Sequence, residues 1–396
     1  MPLSHDDYSV ACICPMGVEL APIQAMLDRM HPSLPTRRDQ NHYTLGEIEG
    51  HNIVIAVLPE IGSNAATTVA IQLLNDFPSI RFGLLVGMGG GVPNEEEGVD
   101  DIRLGDVVVS KSTDTFGGVV QYDMGKQTPA GFLCIGALNK PPGILRSAVQ
   151  GLLARHEREN SRISYYLADM VDKFPKMKER YSYPGQAEDR LFKSTYNHEG
   201  GHTCNKCDIA KVIQRPHRTF ASPYIHYGTI GSANRVVKDG TERDKLKGRA
   251  KVLCLEMEAA GLMDSFPCLV IRGICDYADS HKNKKWQPYA AAVAAAYMKE
   301  LLSVIPPKGV AEASLASPIV QAGSLPTGNP VHWNITRSVN PLFTGRGDIL
   351  RELETIVGEA VKNYLRQDLC WIVISGMGGQ GKSEICLQLA HRLRSL

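Results

Sequence analysis

The sequence predicts an α/β fold with a central sheet, and three features predict it. Short apolar runs alternate with stretches of helical spacing, the pattern of strands interleaved with helices. Glycine-rich segments follow apolar runs directly at Gly62 and at Gly87, Gly89, Gly90 and Gly91, and such turns let backbone approach a ligand closely. Residues 252–279 read as two short buried strands that each run into acid: Glu256 and Glu258 after the first, Asp276 at the end of the second. A carboxylate just past a buried strand sits where open α/β sheets place their ligands, so these three are expected to converge on one crevice.

In chain order, the expected strands are YSVACIC (8–14), NIVIAVL (52–58), RFGLLVG (81–87) and DVVVS (106–110), with helices over 18–30 and 64–76. From about 136 to 222 the pattern changes to a charged helical stretch and then a loop-rich segment, which reads as an insertion. Strands resume at IHYGTIGS (225–232), and an Ala-rich helix over 287–304 closes a domain spanning 1–305. Residues 306–340 have the composition of a flexible linker, and a new unit occupies 341–396.

The 396 residues are 43% hydrophobic, enough for two or three domains. With 43 basic and 42 acidic side chains the formal charge is +1, which gives no electrostatic case for nucleic acid or a membrane surface. No apolar run reaches the roughly 20 residues that span a bilayer, and the polar opening MPLSHDDYS does not read as a signal peptide. A cytoplasmic protein is expected. Several of the ten cysteines (Cys12, Cys14, Cys254, Cys268) lie in apolar strands, where a reduced thiol acts as a small core side chain, so disulfides are not expected.

In the last unit, Trp371–Ser375 reads as a strand leading into Gly376-Met-Gly-Gly-Gln-Gly381-Lys382-Ser383 and an apolar helix. This is the pattern of a P-loop, whose amides and lysine cradle phosphates while the serine holds magnesium. No acidic strand follows to complete the metal site, so the motif is expected to be inert here and to open a longer protein, with ATP and magnesium bound only in the full-length form. The lead-in NPLFTGRGDIL and the loop GMGGQGKS resemble the start of the NB-ARC domain of NOD-like receptors, fungal ones included. That resemblance implies a larger, oligomerising immune protein with an effector or sensor at its N-terminus.

Residues 8–304 resemble the purine nucleoside phosphorylase and uridine phosphorylase superfamily, most of all its methylthioadenosine/S-adenosylhomocysteine nucleosidase branch. The matching segments are CPMGVELAPIQAML, PEIGSNAATTVAIQLL, LLVGMGGGV, IRLGDVVVS, YGTIGSANRVV, LEMEAAGLM and IRGICDYAD, in the family's order. The resemblance implies a three-layer fold with a central mixed sheet flanked by helices. Breaking an N-glycosidic bond needs an acid at the purine and a carboxylate near the sugar. By resemblance, Asp276 is the acid at purine N7, Glu258 grips the ribose hydroxyls, Met257 packs under the sugar, and Glu19 activates the attacking water. Ile61, Gly62, Gly89 and Gly90 are placed with the substrate. Glu256 either supports the site or caps the turn after its strand.

Hydrolysis is expected over phosphorolysis, since the family's phosphate-binding arginine and Arg-x-Gly-Ser turn are replaced by PMGVE and LVGM, and Glu19 would repel phosphate. A phosphorylase and a silent purine sensor are the alternatives. Two departures stand out: the serine before the catalytic aspartate is Cys275, and the purine-stacking aromatic aligns with Val236, leaving Tyr227, Tyr277 or Phe116 to stack on the base. The segment 151–220 carries 13 basic and 9 acidic residues, and Lys206, Lys211, Arg215 and Arg218 are placed as a grip for a 5′ phosphate chain. Members fused to receptor-type ATPase modules look like hydrolases that release adenine from ATP or dATP, so adenine nucleotides lead as substrate and a homodimer is the default assembly. No cofactor is expected for hydrolysis. His198, His202, Cys204, Cys207 and His217 have partly zinc-like spacing, but the second pair is irregular; zinc at Cys204 and Cys207 is the lesser reading and two free thiols the favoured one. His226 reads equally as a buried histidine or a sugar contact.

Overall fold

A computed structural model describes residues 3–35, 41–94, 101–129, 131–201, 203–218, 222–316 and 347–363, with 385, 386, 388, 389 and 392. The chain divides into two compact units, Met1–Ile319 and Val320–Leu396. In the first, β1 (Val10–Cys14) is buried at every position, as a strand covered on both faces must be. Helix α1 (Gly17–Ala25) begins where the Glu19 carboxylate turns back to accept the Met16 amide at 2.7 Å. It stops at Ala25 rather than reaching residue 30. The amides of Asp28 and His31 instead donate to Glu47 and Leu45 on the edge of β3 (Tyr43–Ile48), which makes Arg29–Met30 a short edge strand, β2.

The unit continues with β4 (His51–Val57), α2 (Ser63–Asp76), β5 (Phe82–Gly91), β6 (Val107–Ser110), β7 (Val119–Gln121) and the hairpin β8 (Gly125–Thr128) and β9 (Gly131–Cys134). Three helices follow, α3 (Gly143–His156), α4 (Ile163–Lys173) and α5 (Lys178–Tyr181), then a loop-rich stretch before β10 (Ile225–Ser232). The last elements are α6 (Gly240–Ala250), β11 (Val252–Glu256), β12 (Cys268–Asp276), α7 (Gln287–Ser303) and α8 (Pro307–Glu312).

The sheet is mixed, in the order β11-β10-β6-β12-β5-β1-β4-β3-β2, with β7 added beside β10. β11 also pairs antiparallel with the end of β5, Cys254 opposite Gly91 and Leu255 opposite Gly90. Five strands therefore curl into a closed ring, and this ring gathers the ends of β5, β11 and β12 at one place. Helices cover both faces: α2 packs Ala66, Val69, Ala70 and Leu73 on one, while α1, α3, α4 and α7 pack on the other. Helix α7 is buried along nearly its whole length, which its alanines allow at close helix–sheet approach.

The glycines at 87–91 belong to β5 itself and do not form the turn that the sequence suggests. Strand continuation requires them because the interior crowds that edge: a Cβ on Gly87 would lie 2.5 Å from both the Arg272 guanidinium and Glu19, and one on Gly90 would lie 2.9 Å from the Asp276 carboxylate. Two buried polar residues of α7 anchor neighbouring segments. Glu300 accepts from His156, Ser161 and the Arg162 amide at 2.8–3.0 Å, and Lys299 donates to the Met26 carbonyl at 2.8 Å. In the second unit, α9 (Gly347–Asn363) contributes Leu350 to a small cluster with Ile385 and Leu389. The P-loop residues Gly376, Gly381, Lys382 and Ser383 lie outside the described residues.

Candidate active site

A cleft of about 280 Å³ opens where the ring closes. Glu19, Ile61, Gly89, Gly90, Val236, Glu256, Met257, Glu258 and Asp276 line it. Gly62 is not part of the lining. Its φ of +120° is one that glycine adopts without strain, and its amide meets Glu258 Oε1 at 3.2 Å.

Glu19 is 2% exposed and fixed through both oxygens: Oε1 accepts the Met88 amide and Oε2 the Met16 amide, each at 2.7 Å. Burial pushes its pKa up to about 8, against the pull of Arg272 and the two amides and with a push from Glu258. Arg272, fully buried in mid-β12, ion-pairs with Glu256 and with Glu258 Oε2, the latter at 3.0 Å. Burial opposes its charge, yet Glu256, Glu258 and Glu19 together hold it above the ordinary arginine range. Glu256 also accepts the amides of Glu258 and Ala259 at 3.1–3.2 Å. It is thus committed to Arg272 and to the turn after its strand. Glu258 is raised, first by burial and also by Glu256, against the pull of Arg272.

Asp276 ends β12. Its Oδ1 accepts the Ala278 amide at 2.9 Å, and its Oδ2 faces the Cys275 thiol and the Lys282 ammonium, both at 3.0 Å. The cysteine that stands in the serine position therefore still reaches the aspartate. Burial pushes that thiol well above its ordinary range, so it remains a protonated donor. Burial opposes the Lys282 charge, but the pairing with Asp276 outweighs it and raises the lysine.

Arg215 and Arg218 are not in the cleft. Arg215 donates to Asp189 at 2.9 Å and to the Tyr277 hydroxyl at 2.8 Å; Arg218 clamps Asp106 at 2.6 and 2.8 Å and lies over the Tyr224 ring. The cause is electrostatic: buried carboxylates at Asp106 and Asp189 capture the nearest guanidinium groups. His226 joins the same group, 2.9 Å from Asp106, and is a half-buried partner of that carboxylate rather than part of the cleft lining. Lys206 and Lys211 are exposed on the loop-rich stretch and do not line the cleft either. The proposed stacking aromatics are also elsewhere. Tyr277 bonds Asp189, Tyr227 accepts from Tyr297 at 3.3 Å, and Phe116 packs against the apolar cluster that includes Val120, Tyr122 and Val252. The cleft walls are aliphatic and thioether: Ile61, Met88, Val236, Val237, Leu255 and Met257.

Four charged lining residues carry no signal used in the sequence analysis: Arg272, Lys282, Arg235 and Lys238. Arg272 had a signal, since a lone arginine inside the apolar strand LVIRGIC must find buried acid. Lys282 had none, because five residues of irregular backbone separate it from Asp276.

A curled mixed sheet between helical layers, with carboxylates at gathered strand ends, is a nucleoside phosphorylase-like fold. The chain belongs to the Phosphorylase superfamily, whose profile matches residues 9–303. It is 40% identical over 396 residues to a nucleotide-binding leucine-rich repeat (NLR)-like protein of Hyaloscypha variabilis, covering 99% of this chain and 37% of that protein. The chain thus spans little more than a third of that relative's length. Among solved structures it is similar to futalosine hydrolase of Helicobacter pylori (17% identity, TM-score 0.49, 75% of this chain and 98% of that one). It is also similar to 5′-methylthioadenosine/S-adenosyl homocysteine nucleosidase of Helicobacter pylori (16% identity, TM-score 0.49, 74% and 97%). No helix among the described residues is long and apolar enough to cross a membrane.

Proposed function

We propose that the first unit hydrolyses the N-glycosidic bond of an adenine nucleotide or nucleoside, with ATP or dATP as the leading substrate and adenine and the ribose 5-triphosphate as products. The observation that carries this reading is the convergence of Glu19, Glu258 and Asp276 on one cleft of nucleoside dimensions. Asp276 passes to purine N7, as the C–N bond breaks, a proton drawn from the Lys282 ammonium ion-paired with it 3.0 Å away. Glu258 accepts from the ribose hydroxyls, and Met257 forms the sugar's apolar floor. Glu19, a stronger base than an ordinary carboxylate because of its burial, takes a proton from the water that attacks the anomeric carbon. The water's oxygen and one of its protons become the sugar's anomeric hydroxyl, its other proton goes to Glu19, and adenine leaves with the proton that Asp276 delivers. Hydrolysis of this kind needs no cofactor.

Phosphate as nucleophile is disfavoured by the same geometry. Arg272, the cation nearest Glu19, is already matched by Glu256 and Glu258, and Lys282 by Asp276, so among the described residues no buried cation lining the cleft is left for a dianion. The 5′ phosphates are assigned to the exposed Arg235 and Lys238 on the cleft rim, in place of Arg215 and Arg218. The proposal extends to the whole chain: an effector unit joined to an NB-ARC-type nucleotide switch in an immune receptor, supported by the NLR-like relative that aligns through the P-loop region. A homodimer is part of it, supported by exposed Met124, Leu133 and Ile135 around the β8–β9 hairpin, and sedimentation over a range of concentrations tests that part.

The chemical test is incubation of the purified chain with ATP, adenosine and methylthioadenosine, with and without inorganic phosphate, followed by chromatography. Adenine and ribose triphosphate from ATP without phosphate support the reading. Release only with phosphate makes it a phosphorylase, and no release from any of the three favours a silent purine sensor.

A further inference from the structure

We propose that His198, Cys204 and Cys207, on the segment between β9 and β10, form a zinc site. Each offers a ligand atom, and the three atoms lie within 4.8 Å of one another. Zinc holds thiolate sulfur at about 2.3 Å and imidazole nitrogen at about 2.0 Å, which puts ligand atoms roughly 3.5–4 Å apart. Closing from the observed spacing takes only a small contraction. Local backbone prepares the site: Cys204–Lys206 is a single 3-10 turn closed by the Cys207 amide on the Cys204 carbonyl at 3.2 Å. Such a turn brings both sulfurs of a Cys-x-x-Cys pair to one place. Both cysteines are free thiols, and Cys207 is buried.

The histidine is held as well. His198 Nε2 lies 3.2 Å from the Thr203 carbonyl; when Nε2 donates there, Nδ1 keeps its lone pair, the arrangement in which a backbone carbonyl orients a metal-bound imidazole. Two thiolates and an imidazole select zinc over magnesium or calcium, which prefer oxygen ligands. A water completes the tetrahedron on this partly exposed surface. A second imidazole stands beside the cluster: His281, 7% exposed, has its ring 5.6 Å from that of His198, and its Nε2 meets no hydrogen-bond partner among the described residues. A hydrated metal is the polar neighbour that such a buried nitrogen calls for.

The site's position gives it a role. The His198 amide donates to Ser280 Oγ at 2.9 Å, and the Cys204 thiol lies 4.0 Å from the His281 carbonyl. Ser280 and His281 belong to the loop that also carries Lys282, the partner of Asp276. Zinc would therefore staple the β9–β10 segment to the loop behind Asp276. This assignment is independent of the reaction proposed above.

The test is metal analysis of the full 396-residue chain purified without chelator, then cobalt(II) substitution read by absorption. About one zinc per chain is expected, with a thiolate-to-cobalt charge-transfer band and tetrahedral visible bands. Cys204→Ser and Cys207→Ser should each abolish the charge-transfer band or reduce it to a single-thiolate intensity, His198→Asn should shift the visible bands, and chelation should lower the wild-type melting temperature by several degrees. If the cysteine variants fail to fold, the wild-type cobalt spectrum and its chelation response decide alone. A zinc content below about a tenth of an equivalent together with no charge-transfer band on cobalt loading overturns the site. So does a band that survives both cysteine substitutions, or a Cys204–Cys207 disulfide found by mass spectrometry in the metal-free chain.

Discussion

Two buried charge clusters lie in the same domain, and they are balanced differently. In the cleft, Glu19, Glu256 and Glu258 gather around one guanidinium, Arg272. In the second cluster, Asp101, Asp106 and Asp189 meet Arg103, Arg215, Arg218 and His226. The protonation consequences are opposite. Burial drives Glu19 up to about 8 because too little positive charge faces it. For Asp106, burial pushes the same way, but hydrogen bonds from His226 and Arg218 outweigh it and hold the carboxyl below its usual range. A carboxylate cluster short of cations keeps a usable proton affinity near neutrality; one with cations to spare is permanently ionised and serves only to hold segments together.

The sharpest way to break this comparison is to remove a cation from each side. Arg272→Met and Arg218→Met should each cost about 3–5 kcal/mol of stability, because each strands buried carboxylate, with Arg218 toward the lower end. Only the first should also abolish turnover; denaturant titration with an adenine-release assay checks both, and loss of turnover in a folded Arg218→Met protein would return that residue to the substrate site. Next in size, Glu19→Gln should reduce kcat by roughly 10²–10⁴ while leaving the melting temperature at neutral pH nearly unchanged, since the amide is close in shape to the protonated acid. A variant that unfolds instead would make Glu19 structural.

The pH dependences should also diverge. The folded pKa of Glu19, about 8, exceeds its ordinary 4.5, so its contribution to stability is complete below the ordinary value and is lost as pH rises through about 8. For Asp106 the folded value is depressed below 3.8, so its contribution is present above 3.8 and is lost as pH falls through the folded value. Melting curves from roughly pH 6 to roughly pH 9 should therefore fall more for wild type than for Glu19→Gln, while kcat/KM of the wild type climbs over the same interval. Parallel curves for the two proteins would remove Glu19 from the explanation. The smallest effect is at the rim: Lys238→Ala or Arg235→Ala should raise KM for ATP by about tenfold, the worth of one charge-assisted hydrogen bond, and leave KM for adenosine unchanged. An equal change for both substrates would mean that the rim shapes the cleft without reading phosphate.

The same contrast explains what the sequence could and could not convey. Glu19, Met257, Glu258 and Asp276 were visible because each lies within a residue or two of a strand or helix end, and sheet geometry brings such ends together. Arg215 and Arg218 were misplaced because composition counts charges without saying which way a segment faces; the acids that captured them, Asp106 and Asp189, are 83 residues apart in sequence. The glycines at 87–91 read as a turn because turns and crowded strands both call for a missing side chain. Lys282 reaches Asp276 across a loop, and no periodicity records that.

The β5–β11 pairing has one further consequence. Where Gly90 faces Leu255, the cleft floor is made of backbone, and any added side chain collides with Asp276. Variation of the cleft's shape is therefore blocked from below and left open from the side, at the exposed residues Arg235, Val236 and Lys238. On the proposed function, a search for altered substrate preference has few positions to randomise, and they can vary without replacing the carboxylates of the cleft.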